Sequence, residues 1–553
     1  MNGRDREAGA GPLIAVGAVF LGVAWFFWPR SPEADGVQWF FAGVMGLLGA
    51  ATAIRGARKA SAEMQTRRKR AASLIPSGAF GRAAFATLRQ CRDAGLTDPG
   101  GLFLGALDGT PLFYTGKAHL LTVAPARQGK GVSVVVPNLL HWQGSVFVTD
   151  PKGELAGVTA RHRRERFGQQ VYVINPWGLH GLPRHRFNPL QGLLEAAGDA
   201  VAWRGVMDDA NAIALQLVPE PEDQRNRYFR DGARKILRAL LLHFATRGRP
   251  DACNLVEVWR TLQNMRRLKG VVGEMAGNGS LNGAVLDMAD DLSHTLTDNP
   301  DQFGDFREGA VQGVSIFDPV GWLGESVSGS DFSLSVLKSG RASVYLVIPS
   351  DRIETHGAWL GLVTRQAISS ISRIRSQEPV LFLLDEFANM GRLAGLAESL
   401  TALPGLGVRV WAIVQELADL RRVYGPETTE TVLSQAEVKQ FFAVQNHSLA
   451  RELSGALGSR TIKTMSYNLG RTEIDEVGES VGETGRPLLS PDEIRQLPQG
   501  KQLLLIRSLP PVLADRVAFW DVSPWQEWAD PNPVEGTHPR GRSSYALHYR
   551  QRG

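Results

Sequence analysis

Three groups of residues in this 553-residue sequence have the types and spacing expected of a nucleotide-hydrolysing site. The first is a glycine-bearing loop at residues 124–131, with the sequence APARQGKG. In such a loop the backbone N–H groups converge with a helix N-terminus on an anion, and Lys130 adds a positive charge for the β- and γ-phosphates. The predicted nucleotide-binding residues are Ala124, Pro125, Ala126, Arg127, Gln128, Gly129, Lys130, Gly131 and Val132.

The loop departs at both ends from the usual pattern G-x-x-x-x-G-K-[ST]. Ala124 stands in place of the first glycine, and its methyl group is small enough to be tolerated. Gly131 stands where a Ser or Thr would bind Mg²⁺, and Ser133 lies too far along the chain to replace it simply. A Gly-Lys turn that opens an ordinary helix is the alternative, so the nucleotide prediction depends on the later motifs.

The second and third groups each follow an apolar run. Residues 379–384, PVLFLL, lead directly into Asp385 and Glu386, and residues 408–414 lead into Gln415. In a nucleotide-hydrolysing site Asp385 would position Mg²⁺, usually through water, and Glu386 would polarise the attacking water. Gln415 would sense the γ-phosphate. The alternatives are a helix-capping acid and a polar residue at a strand end. The sequence therefore predicts Glu386, Lys130 and Gln415 as catalytic residues, Asp385 as the metal residue, and ATP with Mg²⁺ as the cofactors.

The elements around these residues predict an α/β fold. An apolar run at residues 120–123 precedes the loop, a helix-length segment extends to about residue 141, and a second apolar strand ends at Asp150. Further strands are predicted at residues 170–174, 342–348, 408–414, 440–444 and 502–506, with helices near residues 154–166 and 358–375. In an open parallel sheet, ligands bind at the carboxyl edge of the strands.

Asp150, Lys152 and Glu154 follow a strand that we expect beside the strand of the phosphate loop. They could therefore face the nucleotide. A strand-to-helix turn is the alternative interpretation.

The chain is too long for one compact domain, and its composition changes along its length. Strand-like runs become scarce after residue 193, and helical periodicity predicts an inserted all-α domain. The predicted organisation is a membrane hairpin with a basic segment at residues 1–70, a helical linker at 71–101, a nucleotide-binding domain in two parts at 102–193 and 327–530, the all-α domain at 194–326, and a disordered tail at 531–553. Residues 460–485 are predicted to be a mobile surface excursion.

Two apolar runs near the start, at residues 12–28 and 37–54, predict two membrane spans. Aromatic residues cluster at their adjoining ends, as in an interfacial belt. Residues 55–70 then carry seven Lys or Arg and one Glu, which places both ends of the hairpin and the bulk of the chain in the cytoplasm. A signal peptide or a buried hairpin is the alternative.

Net charge and cysteine content narrow the possible functions and the cellular compartment. The net charge is +5, and the basic segment accounts for it, so the remainder is close to neutral. If the protein handles DNA, it uses a local basic channel rather than overall attraction. The chain has two cysteines, far apart, which excludes a disulfide framework and agrees with a reducing compartment.

Taken together, these motifs resemble the type IV coupling proteins of bacterial conjugation and type IV secretion, the TraG-like group. The resemblance is carried by Gly129-Lys130-Gly131 followed by VVPNLL at residues 135–140, and by Gln415. It is also carried by DPKGE at 150–154, FNPL at 187–190, LDEF at 384–387 and LLSPDE at 488–493. The Gly131 variant of the loop is usual in this group.

The resemblance implies a RecA-like P-loop ATPase core with an inserted all-α domain and a ring of subunits, a hexamer. It implies an anchor in the bacterial inner membrane and contacts with components of the secretion channel. The cargo would be a relaxase-bound DNA strand or a protein effector. It also implies an arginine that acts on a neighbouring subunit; Arg409, Arg421 and Arg422 lie near the expected region, and no spacing selects one.

Two other functions stay open at this stage. One is a chromosome-type DNA translocase of the FtsK kind, against which the short two-span anchor and internal helical domain argue. The other is a non-hydrolysing substrate receptor whose phosphate loop is structural. DNA-stimulated ATP hydrolysis separates a motor from a receptor.

Overall fold

The computed structural model describes residues 10–547 apart from positions 32, 34, 74, 221–225, 377, 394, 469–477, 540, 542 and 543. The chain divides into two compact units. One contains residues 1–83 and 454–490, and the other contains residues 84–453 and 491–553.

The strands are β1 (Leu102–Leu107), β2 (Thr110–Tyr114), β3 (His119–Val123), β4 (Ser145–Asp150), β5 (Gln170–Ile174), β6 (Ala342–Val347), β7 (Val380–Leu384), β8 (Val408–Val414), β9 (Ala436–Phe442), β10 (Ser459–Asn468), β11 (Gly478–Pro487), β12 (Lys501–Ile506), β13 (Val512–Asp515), β14 (Val522–Ser523) and β15 (Tyr545–Ala546). The helices are α1 (Ala10–Phe26), α2 (Gly36–Ser73), α3 (Leu88–Asp93), α4 (Val136–His141), α5 (Glu154–Glu165), α6 (Gln191–Gly198), α7 (Val206–Leu217), α8 (Arg227–Thr246), α9 (Leu255–Gln263), α10 (Met265–Met275), α11 (Ala284–Asp298), α12 (Pro300–Val314), α13 (Trp322–Val327), α14 (Val336–Ser339), α15 (Ile353–Ser372), α16 (Leu396–Ala402), α17 (Leu417–Gln435), α18 (His447–Leu457), α19 (Pro491–Arg495) and α20 (Trp525–Trp528).

The larger unit is built on an 11-stranded mixed sheet with the order β2-β1-β13-β12-β9-β3-β8-β7-β4-β6-β5. The strands from β9 to β5 in this order are parallel, and β12, β13, β1 and β2 continue the sheet with antiparallel pairs. Every residue of β3, β4, β6 and β7 is buried. These strands have near-continuous apolar sequences because both faces of a parallel sheet are covered. The predicted α/β class is confirmed.

One predicted neighbour relation is wrong. We expected β4, which ends at Asp150, to lie beside β3, the strand of the phosphate loop. Strands β8 and β7 lie between them. Sequence order does not determine strand order here, because β8 and β7 come much later in the chain and insert between two strands that are close in sequence.

Residues 191–341 contain only helices and connections in the part that the structure describes. Helix α8 is central to this segment, and it buries Ile236, Leu237, Leu240 and Leu241 completely. The ring of Phe306 on α12 packs against Gly232, where a side chain would collide with it. Since these helices form one compact unit with the sheet, the boundaries of an inserted domain at residues 194 and 326 stay a prediction.

Within the smaller unit, α1 and α2 pack as an antiparallel hairpin through small residues. A Cβ atom at Gly17 would lie 2.8 Å from the backbone nitrogen of Ala53, and one at Gly49 would lie 2.9 Å from that of Leu21. Such contacts bring two helix backbones close together, as in membrane helix pairs.

Only α2, over Gly36–Gln65, is long and apolar enough to cross a membrane among the described helices. Helix α1 has 17 residues, which span about 26 Å at about 1.5 Å per residue, against roughly 30 Å for a bilayer core. One candidate span is therefore present where two were predicted. Helix α2 also continues past the predicted end at residue 54 through the basic segment to Ser73.

Three segments outside the large sheet differ from their predicted secondary structure. The described part of the linker at 71–101 is mostly not helical, because α2 ends at Ser73 and α3 covers Leu88–Asp93. The predicted excursion at 460–485 contains the hairpin β10–β11, paired from Ser459 with Pro487 to Asn468 with Gly478. Its connection at 469–477 lies outside the described residues, and its mobility stays a prediction. Disorder was predicted for the tail, yet Tyr545 and Ala546 form β15, which pairs with β14. Residues 540, 542, 543 and 548–553 lie outside the described residues.

Candidate functional site

The three groups of predicted site residues meet at one edge of the sheet. Strand β8 lies between β3 and β7, and all three are parallel. Because their carboxyl ends share an edge, the loop after β3 brings Lys130, the end of β8 brings Gln415, and the end of β7 brings Asp385 and Glu386 to the same place. The structure therefore places the four polar side chains singled out by the sequence in one cluster.

The phosphate loop is tightly curled. The Ala124 N–H donates to the Val414 carbonyl at 2.9 Å, and Ala124 is completely buried, so a small residue is needed there. Arg127 and Gly129 have left-handed backbones, with φ of 60° and 74°. After the loop the chain makes one π-helical turn, Gly131–Val135, before α4. Such turns are frequent at functional sites.

Neither Gly131 nor Ser133 contributes a side-chain metal ligand. Gly131 has none to offer, although a Cβ atom there would meet nothing within 4 Å. The Ser133 hydroxyl donates to the Gly129 carbonyl at 2.7 Å, so it is engaged in a hydrogen bond with the backbone of the loop. The predicted loss of the usual loop hydroxyl is therefore not compensated by Ser133.

Lys130 lies between the two acids that end β7. Its Nζ is 2.9 Å from Asp385 Oδ1 and 2.6 Å from Glu386 Oε1. Gln415 Nε2 donates to both Glu386 oxygens, at 3.0 and 2.9 Å, and Asn389 Nδ2 donates to Glu386 Oε2 at 3.1 Å. Glu386 is thus the centre of the cluster.

The backbone that carries the two acids is held in an uncommon conformation. Glu386 has φ 55° and ψ 40°, the left-handed region, which costs a non-glycine residue roughly 1–2 kcal/mol. The Thr149 hydroxyl donates to the Asp385 carbonyl at 2.8 Å, and the Glu386 N–H donates to Asp385 Oδ1 at 3.0 Å. Strain of this kind concentrates at functional sites.

Charge at the cluster is unbalanced, because one ammonium faces two carboxylates. Burial opposes the charge on Lys130, but Asp385 and Glu386 outweigh it and raise the pKa of the lysine, which therefore stays protonated. Burial raises the pKa of Asp385, and the nearby Lys130 only partly offsets this. A second cation would stabilise both carboxylates in their ionised form.

The donor set fits Mg²⁺ that is shared with a nucleotide. Asp385 and Glu386 already direct two carboxylate oxygens at one cation, and Mg²⁺ in phosphate sites is typically held by one or two carboxylates together with phosphate oxygens. Within the described residues no group of three or more His, Cys, Asp or Glu side chains could hold a metal without such help.

The structure does not bring Asp150, Lys152 and Glu154 into this cluster. Asp150 is buried, and its Oδ2 accepts the Ala156 N–H at 2.8 Å, so it caps α5. Burial raises its pKa to about 6. Lys152 is exposed and 3.7 Å from Glu154. These residues form the strand-to-helix turn that was the alternative interpretation.

The three arginines considered for action on a neighbouring subunit lie in two different places. Arg409 lies at the amino end of β8, the edge opposite the cluster, and its guanidinium packs 4.9 Å from the centre of the Trp142 ring. Arg421 and Arg422 lie on α17, which follows Gln415, and pair with Glu452 at 3.3 Å and Asp419 at 3.4 Å.

Three residues near the cluster or its phosphate loop were not predicted from the sequence. Asn389 and Asp419 line a polar cleft of about 230 Å³ together with Glu386 and Gln415. Asn389 had a local signal, since it lies three residues after Glu386. Arg516 donates to the backbone carbonyl of Gln128 in the phosphate loop, and nothing near it in the sequence indicates this.

The comparison with protein families agrees with the site. The family model described as Type IV secretory system Conjugative DNA transfer matches residues 84–537. Protein VirD4 of Agrobacterium fabrum is 28% identical over 407 residues, 73% of this chain and 58% of that protein. Conjugal transfer protein TraG of Escherichia coli is 28% identical over 418 residues, 71% of this chain and 63% of that protein. The chain thus spans less than two thirds of the length of these relatives.

Two solved structures of similar fold are those of conjugative coupling proteins. The unbound bacterial conjugative coupling protein TrwBdeltaN70 superimposes with a TM-score of 0.59 at 17% identity, covering 80% of this chain and 96% of that chain. The plasmid coupling protein TrwB in complex with ADP and Mg²⁺ gives a TM-score of 0.59 at 16% identity, covering 80% of this chain and 97% of that chain. At this identity the similarity establishes the fold.

Proposed function

The chain belongs to the type IV secretory system conjugative DNA transfer family, and from that premise we propose that it is a membrane-anchored ATPase that couples substrate delivery to a secretion channel. One observation carries the proposal: Lys130, Asp385, Glu386 and Gln415 come from three strand ends and form one hydrogen-bonded cluster. A structural loop would not require a lysine, two acids and a glutamine to converge.

ATP and Mg²⁺ are the cofactors that this site fits. The loop N–H groups and Lys130 would bind the phosphates, and Asp385 would hold Mg²⁺, which would neutralise phosphate charge. Glu386 orients the attacking water and accepts its proton. Gln415 donates hydrogen bonds to Glu386 and directly precedes the segment that leads into α17, so an exchange of its partner for the γ-phosphate would be transmitted to that helix.

The family resemblance and the N-terminal helices support the cellular location. We place α1 and α2 as a two-span hairpin in the bacterial inner membrane, with the bulk of the chain in the cytoplasm. The exposed aromatic side chains of Trp25, Phe26, Phe40 and Phe41 lie at the connected ends of the two helices, where a membrane interface would accept them.

The partners follow from the same resemblance. We propose a ring of subunits, a hexamer, that contacts secretion-channel components and recruits relaxase-bound single-stranded DNA or protein effectors. The helical segment at residues 194–326 would contact the cargo, since its described residues contribute no side chain to the nucleotide cluster.

The test is DNA-stimulated ATP hydrolysis by the full chain in detergent. Wild type should hydrolyse ATP faster when single-stranded DNA is added, and Lys130→Ala should be inactive. Lys117→Ala is a matched control, because Lys117 is an exposed lysine between β2 and β3, at the sheet edge opposite the cluster and outside the helical segment. Nucleotide binding without any hydrolysis by wild type would instead support the receptor alternative.

A further inference from the structure

Arg516 connects the antiparallel side of the sheet to the phosphate loop. It directly follows β13, and its Nη1 donates to the backbone carbonyl of Gln128. Its guanidinium also lies 5.0 Å from the centre of the Phe442 ring, at the end of β9. The backbone N–H of Arg516 donates to the Gly500 carbonyl at 2.7 Å. Hydrogen bonds therefore fix both the backbone and the side chain of this residue.

The charge of Arg516 is not compensated within the described part of the chain. Its neighbour Asp515 pairs with Lys501 at 2.6 Å, and no carboxylate there pairs with Arg516 itself. Its Nε is buried and has no hydrogen-bond acceptor among these residues. Burial lowers the pKa of Arg516, and no nearby anion offsets it. A half-buried cation without a counter-ion lies beside a loop suited to phosphate.

The contact with Gln128 determines where the next amide points. In a planar trans peptide, the carbonyl of Gln128 and the N–H of Gly129 point in opposite directions. Gly129 adopts φ of 74°, and glycine accepts either sign of φ, so this peptide could flip at little cost. A flipped peptide would present a carbonyl to an anion. Arg516 holds the carbonyl, and within the described residues the Gly129 N–H has no acceptor of its own.

We infer that Arg516 is a positioning residue of the nucleotide site: it fixes the Gln128–Gly129 peptide so that the Gly129 N–H binds a nucleotide phosphate, and it adds positive potential there. The inference rests on the proposed nucleotide-binding function. It also gives the antiparallel strands, which carry none of the cluster residues, a direct contact with the loop.

The test compares Arg516→Gln, Arg516→Lys and wild type as full chains in detergent. The affinity for a fluorescently labelled ADP with Mg²⁺, the KM and kcat for ATP, and the melting temperature without nucleotide are measured. Arg516→Gln should raise Kd and KM roughly tenfold, the scale of one lost charge-assisted hydrogen bond. The kcat should change much less, because the loss affects bound nucleotide and transition state alike.

Arg507→Gln is the matched control. Arg507 is exposed and donates to the Ser434 carbonyl at 3.0 Å, an arginine–carbonyl bond that does not involve the loop. This variant should keep the wild-type Kd and KM. Arg516→Lys retains a charge and a donor but loses the planar stacking on Phe442, so its Kd should lie between those of wild type and Arg516→Gln.

The outcomes separate the inference from the function it rests on. If wild type does not bind the labelled ADP, the proposed nucleotide function fails and the inference falls with it. If wild type binds and Arg516→Gln has the same Kd, the inference alone is overturned. A fall in melting temperature with unchanged Kd would show a purely structural role. If Arg516→Gln does not fold, Arg516→Met decides, because it keeps an apolar stem beside Phe442 without a charge or a donor; a wild-type Kd in that variant overturns the inference.

Discussion

Replacing Glu386 with glutamine keeps the shape of the side chain at the centre of the cluster and removes its charge. Glu386 accepts hydrogen bonds from Lys130 at 2.6 Å, from Gln415 at 2.9 and 3.0 Å, and from Asn389 at 3.1 Å. The substitution leaves Asp385 and the loop amides in place. It therefore separates hydrolysis from nucleotide binding.

The contacts of Glu386 allow two effects of this substitution to be estimated, one on the stability of the cluster and one on the rate of hydrolysis. A hydrogen bond to a charged group contributes about 1.5–3 kcal/mol and one between neutral groups about 0.5–1.5. Three donors contact Glu386, so the substitution should weaken the cluster by on the order of 3 kcal/mol. If Lys130 moves from these acids to a phosphate, as the proposed function implies, weakening its contacts with them should keep or improve nucleotide affinity. Hydrolysis should fall roughly 10²-fold or more, since the general base is lost.

The assay measures labelled-ATP binding and phosphate release on the same preparation, followed by mass photometry with and without ATP. Glu386→Gln should bind ATP at least as tightly as wild type and should remain ATP-bound. In a ring whose subunits meet at the nucleotide, it should then show more oligomer with ATP than wild type. Asn389→Ala is the control, because it removes one donor to Glu386 and leaves the carboxylate charged; its hydrolysis should fall far less.

Hydrolysis at the wild-type rate by Glu386→Gln would refute this reasoning. Glu386 would then only stabilise the turn after β7, and the catalytic base would lie elsewhere. Loss of both nucleotide binding and hydrolysis in this variant would also contradict the reasoning. That result would show that the negative charge of Glu386 is needed to hold the site together.

The remaining predictions concern the loop lysine, the buried acid of β4 and the N-terminal helices. Lys130→Ala should lose ATP turnover and substrate transfer, keep membrane insertion and form less oligomer with ATP; normal transfer would argue against a motor. Asp150 has a pKa raised from 3.8 to about 6 by burial, so the folded state binds this proton more tightly than the unfolded chain and stability falls as pH rises through that window, by about 3 kcal/mol. Asp150→Asn cannot ionise and should lose this dependence, seen as a melting temperature that rises relative to wild type between about pH 4 and pH 6; parallel profiles would show that Asp150 does not ionise there. Removal of residues 1–70 should release a soluble protein with weaker self-association, and sedimentation of that protein with membranes would indicate a second anchor.

Local sequence determined the parts of this protein that depend on neighbouring residues. The strands β5 and β8 begin and end where their apolar runs do, at Gln170–Ile174 and Val408–Val414. The polar residues that end β7 and β8 were also identified, because a buried apolar run that stops at an acid or an amide is visible without any partner. The helical segment after β5 follows from its 3.6-residue periodicity in the same way.

Tertiary structure alone decided which strand ends meet. Strand β4 is near β3 in sequence, yet β8 and β7 separate them, and this moves Asp150 from a predicted ligand position to a helix cap. Arg516 reaches Gln128 across 388 positions of the chain. The hairpin β10–β11 and the strand β15 also needed a partner strand to form. Periodicity reports which face of an element is buried, whereas strand order and long-range contacts depend on how the crossovers pack, and that information is spread over the whole chain.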